Sequence, residues 1–221
     1  MPKVKVARKS TFVDMTAMCD VATLLLTFFI LTTQFKGEEA IVVKTPSSIA
    51  EFKVPERNII TISIDKTGKV YFSLDGKFKR KLMIEKVNEA YNLGLTAEEI
   101  DKFSNLPGFA VPLEQLPNYV KLSSQEMQKP EANPGIPIDS TLDEKKNQLL
   151  IWLGYARVAT AERNMQDPKV GRPITADIAI KADQYVPYKL VKNIINTLQN
   201  KKINKYILIT DLDKSDKPVE D

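Results

Sequence analysis

The chain has 221 residues, 43% of them apolar and 27% charged, and a formal net charge of +4. That leaves room for one membrane span and one modest folded domain, and the charge is too small and too dispersed to point to nucleic acid. A single cysteine excludes an intramolecular disulfide framework, and the absence of histidine removes histidine-based metal sites and Ser-His-Asp catalysis.

Residues 1–13 read as a cytoplasmic tail. They carry Lys3, Lys5, Arg8 and Lys9 before any acid, whereas the comparable length beyond the next segment mixes Lys36, Lys44 and Lys53 with Glu38, Glu39 and Glu51. The bias places the N-terminus in the cytoplasm and the bulk of the chain outside. Residues 14–35 then read as a transmembrane helix. From Val13 to Phe35 the only formal charges are Asp14 and Asp20, and with its mildly polar flanks the run reaches the ~20 residues that cross ~30 Å of hydrocarbon. Thr32-Thr33-Gln34-Phe35-Lys36 is not a small-x-small cleavage site and the run exceeds a signal-peptide core, so the segment is expected to stay as an anchor. A lipoprotein reading of Cys19 fails because the apolar stretch follows the cysteine. Asp14 is expected to cap the helix and mark the interface.

Asp20 lies inside the span. A charged carboxylate facing lipid costs a few kcal/mol or more, so it is expected to face a partner or water. At about 100° per residue, Thr16, Thr23, Thr27 and Gln34 fall within roughly 60° of Asp20, whereas Leu24, Leu25, Phe28 and Phe29 mostly populate the other faces. The blander account is that threonine hydroxyls bond back to their own helix and the acid snorkels to the interface. Asp20 sits about 9 Å along the axis from Asp14, deep for so short a side chain. Asp20 is therefore the candidate functional residue, with Thr16, Thr23 and Thr27 lining its polar face.

Asp14-Met-Thr-Ala-Met-Cys-Asp20-Val-Ala-Thr-Leu-Leu-Leu-Thr-Phe-Phe-Ile-Leu-Thr-Thr33 resembles the membrane signature of the ExbD/TolR family of proton-driven biopolymer-transport proteins. In that family a short cytoplasmic tail precedes one span whose protonatable aspartate is followed by Val and a leucine-rich run, and Asp20 falls on that aspartate. Ala17 stands where the family usually has Pro. The resemblance implies a homodimer of such helices inside a ring of a multi-span ExbB/TolQ-like protein, passing motion to a TonB- or TolA-like partner from the inner membrane of a Gram-negative bacterium, with the C-terminal domain periplasmic.

Residues 36–57 read as a linker. Ile41-Val-Val-Lys-Thr45 can form a short strand stopped by Pro46, and with no partner nearby in sequence it could pair with another chain. Val43-Lys44-Thr45-Pro46 resembles the short strand ending in Leu-Pro that follows the span in the family, with Thr45 in place of Leu; an extended tether is the plain alternative.

Residues 58–211 read as the folded domain. Asn58–Ile64 alternates as a strand, Asp65-Lys-Thr-Gly68 is turn chemistry and Lys69–Ser73 returns antiparallel, followed by an amphipathic helix over about 79–92. From about 94 to 140, six prolines forbid long regular elements; apart from a short helix at 96–105 that Thr96 and Glu99 would cap, this reads as an irregular insertion that can pack on the domain, a recognition surface or, more plainly, a restrained surface loop. Ser140-Thr-Leu-Asp-Glu144 is expected to start a helix reaching Met165, with Leu142, Leu149, Leu150, Leu153 and Ala156 buried and Trp152 and Tyr155 in the core or at its rim. Ala176–Ala182, a helix opened by Pro187 and Lys205–Thr210 form a strand-helix-strand unit whose strands should be parallel. This closing unit also resembles the family's. Such likeness covers residues 1–46, 58–93 and 174–210. From Asp211 the chain is charged and expected to fray, with 212–221 a tail.

The fold class expected is therefore α+β: one transmembrane helix plus a small extracytoplasmic mixed-sheet domain with a proline-rich insertion. An apolar surrounding favours a carboxyl's neutral form and a hydrated path its charged form, so one acid exposed alternately to two sides can load and release an ion. The expected function is a motor subunit with no cofactor and no metal site, the ion being a proton or, through carboxylate and hydroxyl oxygens, sodium. A passive single-span anchor whose outer domain binds cell wall or a transport partner is the alternative. An enzyme finds no support in any nucleophile-base pair, metal spacing or phosphate loop.

Overall fold

The computed structural model describes residues 15–33, 41, 43–48, 55, 58–139, 143, 146–165 and 175–212. The basic tail, Asp14, Gln34, Lys36, Lys53, the acids Glu38, Glu39 and Glu51, Ser140–Leu142, Glu144 and residues 213–221 lie outside them. The chain divides into two units, residues 1–37 and 38–221. Among the described residues the first unit is a single helix, α1 (Met15–Thr32).

The second unit is built on a four-stranded sheet of β2 (Ile59–Ile64), β3 (Val70–Leu74), β4 (Asp177–Ala182) and β5 (Ile207–Ile209), in the order β3-β2-β4-β5. The expected hairpin is present: β2 and β3 run antiparallel from Ile60 opposite Leu74 to Ile64 opposite Val70. Asp65 closes the turn by accepting the N–H groups of Thr67 (2.8 Å) and Lys69 (2.9 Å) on one carboxylate oxygen. The closing unit is also present, with α7 (Tyr188–Asn200) joining β4 to a parallel β5, and β4 pairing parallel with β2. Alternate residues Ile60, Ile62 and Ile64, Val70, Phe72 and Leu74, and Ile178 and Ile180 are all buried, as the period of two requires of one sheet face.

Helices α2 (Lys77–Tyr91), α3 (Ala97–Asn105) and α6 (Leu149–Met165) pack against one another, α2 contacting both α3 and α6. The expected cap of α3 is a full capping box, Thr96 and Glu99 exchanging bonds with each other's backbone N–H. These bonds, from the Thr96 backbone before its hydroxyl, hold the exposed Glu99 carboxyl below its ordinary range. Arg80 ties α2 to its surroundings by donating to the carbonyls of Ser104 and Leu74, both at 2.8 Å. Burial lowers its pKa, opposed by the nearby Asp75 carboxylate.

Three expectations change. The insertion is not a plain surface loop: Phe103, Leu106, Phe109, Val111, Leu116 and Met127 are buried in the main core. Between its prolines it winds into short helical turns, including a 3-10 turn at Leu113–Gln115, α4 (Leu116–Tyr119) and α5 (Ser124–Met127). It also closes the β3 edge, Phe72 and Phe109 exchanging N–H to carbonyl bonds of 2.8 and 3.0 Å while Ile136 N–H donates to the Val70 carbonyl at 3.0 Å. Gly135 (φ 109°) lets that segment approach, since a Cβ there would meet Lys69 Cα at 3.4 Å. Asn133 holds the turns together: its amide donates to the carbonyls of Met127 (2.6 Å) and Lys129 (3.0 Å), and its oxygen accepts Ala110 N–H (3.0 Å). Prolines end long elements, but they do not stop short ones from burying apolar side chains.

The second change is that α6 begins at Leu149, later than expected. Asn147 and Gln148 are taken by tertiary bonds instead: the Asn147 amide donates to Thr197 Oγ1 at 2.8 Å, and the Gln148 side-chain oxygen accepts Leu113 N–H at 2.7 Å. Third, Asp211 does not fray. Asp211–Leu212 forms a two-residue strand, β6, parallel to β1 (Ser47–Ser48). The pairing within this chain thus follows Pro46, directly after the residues expected to form a strand.

Candidate functional site

Helix α1 satisfies its own backbone, and its threonines do the same with their side chains. Thr23 Oγ1 donates to the Cys19 carbonyl at 2.8 Å, Thr27 Oγ1 to Leu24 at 2.9 Å and Thr32 Oγ1 to Phe28 at 2.8 Å. This is the back-bonding that lets hydroxyls sit in apolar surroundings. Those three hydroxyl hydrogens do not go to Asp20. Each donating hydroxyl oxygen still keeps acceptor capacity for a proton donor or a cation.

Asp20 is exposed and lies five residues into the helix, about 7.5 Å from its start in a helix about 27 Å long. Thr16, Thr23 and Thr27 share its face on one flank, and Leu24 and Leu31 border it on the other, at roughly 40° and 20°, so Leu24 belongs beside Asp20 and not on the other faces where Leu25, Phe28 and Phe29 lie. The polar stripe is thus bounded by leucine, and a second surface would meet it as a strip of oxygen atoms beside a hydrocarbon ridge. No residue of α1 is buried. The helix is long and apolar enough to cross a membrane.

The linker residues Val43–Pro46 have no ladder pairing, but they dock within the second unit. Val43 and Thr45 are buried while Lys44 and Pro46 are exposed. Lys44 N–H donates to Asp183 Oδ2 at 3.3 Å, and the Lys44 carbonyl accepts Gln184 N–H at 2.9 Å. Asp183 also accepts Tyr185 N–H at 3.1 Å, so one carboxylate shapes the β4–α7 turn and clasps the linker. The position of Asp183 directly after β4 is the only local signal of this role, since its partner is 139 residues away. The Thr45 hydroxyl, in a residue only 5% exposed, has no hydrogen-bond partner among the described residues.

Groups of His, Cys, Asp and Glu arranged to hold a metal are absent among the described residues. The core instead centres on aromatic packing between the sheet, the insertion and α6. Trp152 is fully buried, stacked on Phe103 (6.4 Å between centroids) and edge-on to Phe109 (4.6 Å), and Phe109 reaches Phe72 at 5.8 Å. Trp152 is structural.

These features converge on a helix with one internal carboxylate, joined through a docked linker to a small mixed-sheet domain. Comparison with family models matches residues 7–213 to the family described as biopolymer transport protein ExbD/TolR. The chain belongs to the ExbD/TolR family, and the match runs through the insertion. No curated protein and no solved structure matches it. The family is one of single-pass inner-membrane subunits of the motors that energise biopolymer transport, and its members generally work with ExbB/TolQ and TonB/TolA partners.

Proposed function

We propose that this chain is the ion-carrying subunit of a proton-motive-force-driven motor that energises transport across the outer membrane, with Asp20 as the group that loads and releases the proton. The observation that carries the reading is the single carboxylate inside the span of an ExbD/TolR protein. Each charge moved through the potential yields about 2.3 kcal/mol per 100 mV, and the pH gradient adds to it. A lone helix offers neither a sealed path nor a surface to push against. Two copies of α1 within a ring of an ExbB/TolQ-like protein supply both: the partner wall seals the hydrocarbon ridge of Leu24 and Leu31, and the Asp20 stripe faces hydrated and dry sectors in turn. The N-terminus is cytoplasmic and the domain periplasmic, where residues 43–46 tether it for work on a TonB- or TolA-like partner.

Asp20→Asn in the assembled complex is the test. Energy coupling should be abolished while expression and complex assembly persist, and a carboxyl stretch that follows proton loading in difference infrared spectra should vanish. Unimpaired coupling in Asp20→Asn would leave a passive anchor whose outer domain carries the function. Coupling that requires sodium at constant pH gradient would replace the proton with Na⁺.

A further inference from the structure

A cleft of about 510 Å³ opens where the end of α2, the 3-10 turn of the insertion and the start of α6 meet. Its walls are mainly apolar: Leu113 and Ile151 are buried at the base, Leu93 is half-buried and Tyr91 stands partly exposed at the rim. Two carboxylates, Glu114 and Asp143, share the same lining. Glu114 is not a free-swinging surface acid. The Gln148 amide, itself 3% exposed, donates to both of its oxygens at 2.9 and 3.0 Å, while the Gln148 carbonyl oxygen is fixed by Leu113 N–H at 2.7 Å.

We propose that this cleft is a docking site for an extended segment of a partner protein that presents a lysine or arginine between apolar residues. A carboxylate offers about four lone-pair sites, so the amide of Gln148 leaves Glu114 able to accept from a cation. A charge-assisted bond to a pre-positioned carboxylate loses little side-chain freedom on binding. The long alkyl stem of Lys or Arg can lie along Leu93, Leu113 and Ile151 with its head at Glu114, and the ring of Tyr91 adds a cation-π face. Charge decides the occupant: an acidic or purely apolar segment would leave Glu114 repelled or desolvated without a counter-charge, whereas a basic one answers both walls. The insertion supplies Leu113 and Glu114 to the cleft, and no residue of α1 takes part in it, so its failure would leave the motor reading untouched.

The test uses the full chain in nanodiscs with labelled leucine and isoleucine methyls, titrated with acetyl-Leu-Lys-Leu-amide. Saturable shifts are expected at Leu93, Leu113 and Ile151, with affinity at least tenfold weaker for the peptide carrying norleucine in place of lysine and for Glu114→Gln. Asp143→Asn, which leaves the Glu114–Gln148 bonds in place, should weaken binding less. The methyl spectrum without peptide reports that each variant is folded. Absence of saturable shifts at these three residues, or equal binding of the lysine and norleucine peptides, or equal binding by both folded variants and the parent, would overturn the proposal.

Discussion

Helices α1 and α6 have nearly the same length, 18 and 17 residues, and both open on apolar residues, yet they live in different solvents. Every large apolar side chain of α1 from Met15 to Leu31 is between 52% and 84% exposed, and none is buried. In α6, Leu149–Leu153, Ala156, Ala159, Thr160 and Asn164 are buried, and the open side mixes Arg157, Glu162 and Arg163 with Val158 and Met165. Apart from the narrow polar strip at Asp20, α1 has no polar side to offer water, so it needs hydrocarbon or other helices for cover. A stripe needs only one neighbouring surface, which the sheet and the insertion provide for α6. Asp20 is conspicuous for the same reason: in α6 the charged residues lie on the side left open, whereas in α1 Asp20 is the one formal charge on an otherwise apolar helix.

The comparison can be broken most sharply at Asp20, where Asp20→Asn should remove energy coupling altogether while the outer domain unfolds as before. Next comes a matched pair of truncations. Trp152→Ala should lower the domain's unfolding free energy by about 3–5 kcal/mol, because the cavity would lie among Phe103, Phe109 and the sheet. Phe28→Ala, an aromatic truncation on α1, should leave chemical denaturation of the domain within about 0.5 kcal/mol of the parent. Equal effects would mean that α1 is a core helix after all.

Smaller still is Thr45→Val, which removes the unpartnered buried hydroxyl at almost constant volume; the domain should be unchanged or up to about 1 kcal/mol more stable in denaturant titrations. The smallest effect concerns pH. Backbone and hydroxyl bonds from Thr96 and Ser123 hold the carboxyls of Glu99 and Glu126 below their ordinary 4.5. A carboxyl lowered on folding contributes stability that is complete above its unfolded value and is lost as pH falls through the folded one. The unfolding midpoint should therefore decline gently below about 4.5, and more gently in the Thr96→Ala/Ser123→Ala double variant.

Much of the fold could be read locally. The hairpin followed from Asp65–Gly68, the α3 cap from Thr96 and Glu99, and the closing unit from alternating and helical periods on either side of Pro187, because each depends on groups within a few residues of one another. The insertion could not be read that way. Beyond α3, its apolar residues Phe109, Leu113 and Leu116 follow no single period, since Phe109 enters the core from an isolated bridge to β3, Leu113 from a 3-10 turn and Leu116 from α4. Pairing of Ser47–Ser48 with Asp211–Leu212 and the Asp183 clasp on Lys44 were equally hidden, as their partners lie far apart along the chain.

At the candidate sites the division is the same. The position of Asp20 and the threonines beside it follows from helix geometry alone, whereas nothing near Glu114 in the sequence shows that Gln148, 34 residues on, holds its carboxylate. By itself the sequence determined that one helix must leave water, that it carries a carboxylate there, and that a small α+β domain follows, because these rest on run length, period and local turn chemistry. Tertiary structure decided that the proline-rich segment belongs to the core, that the linker docks on its own domain, and that a fixed carboxylate faces an apolar cleft. Those outcomes depend on which distant groups satisfy each other's hydrogen bonds and exclude water together, and no local pattern encodes that.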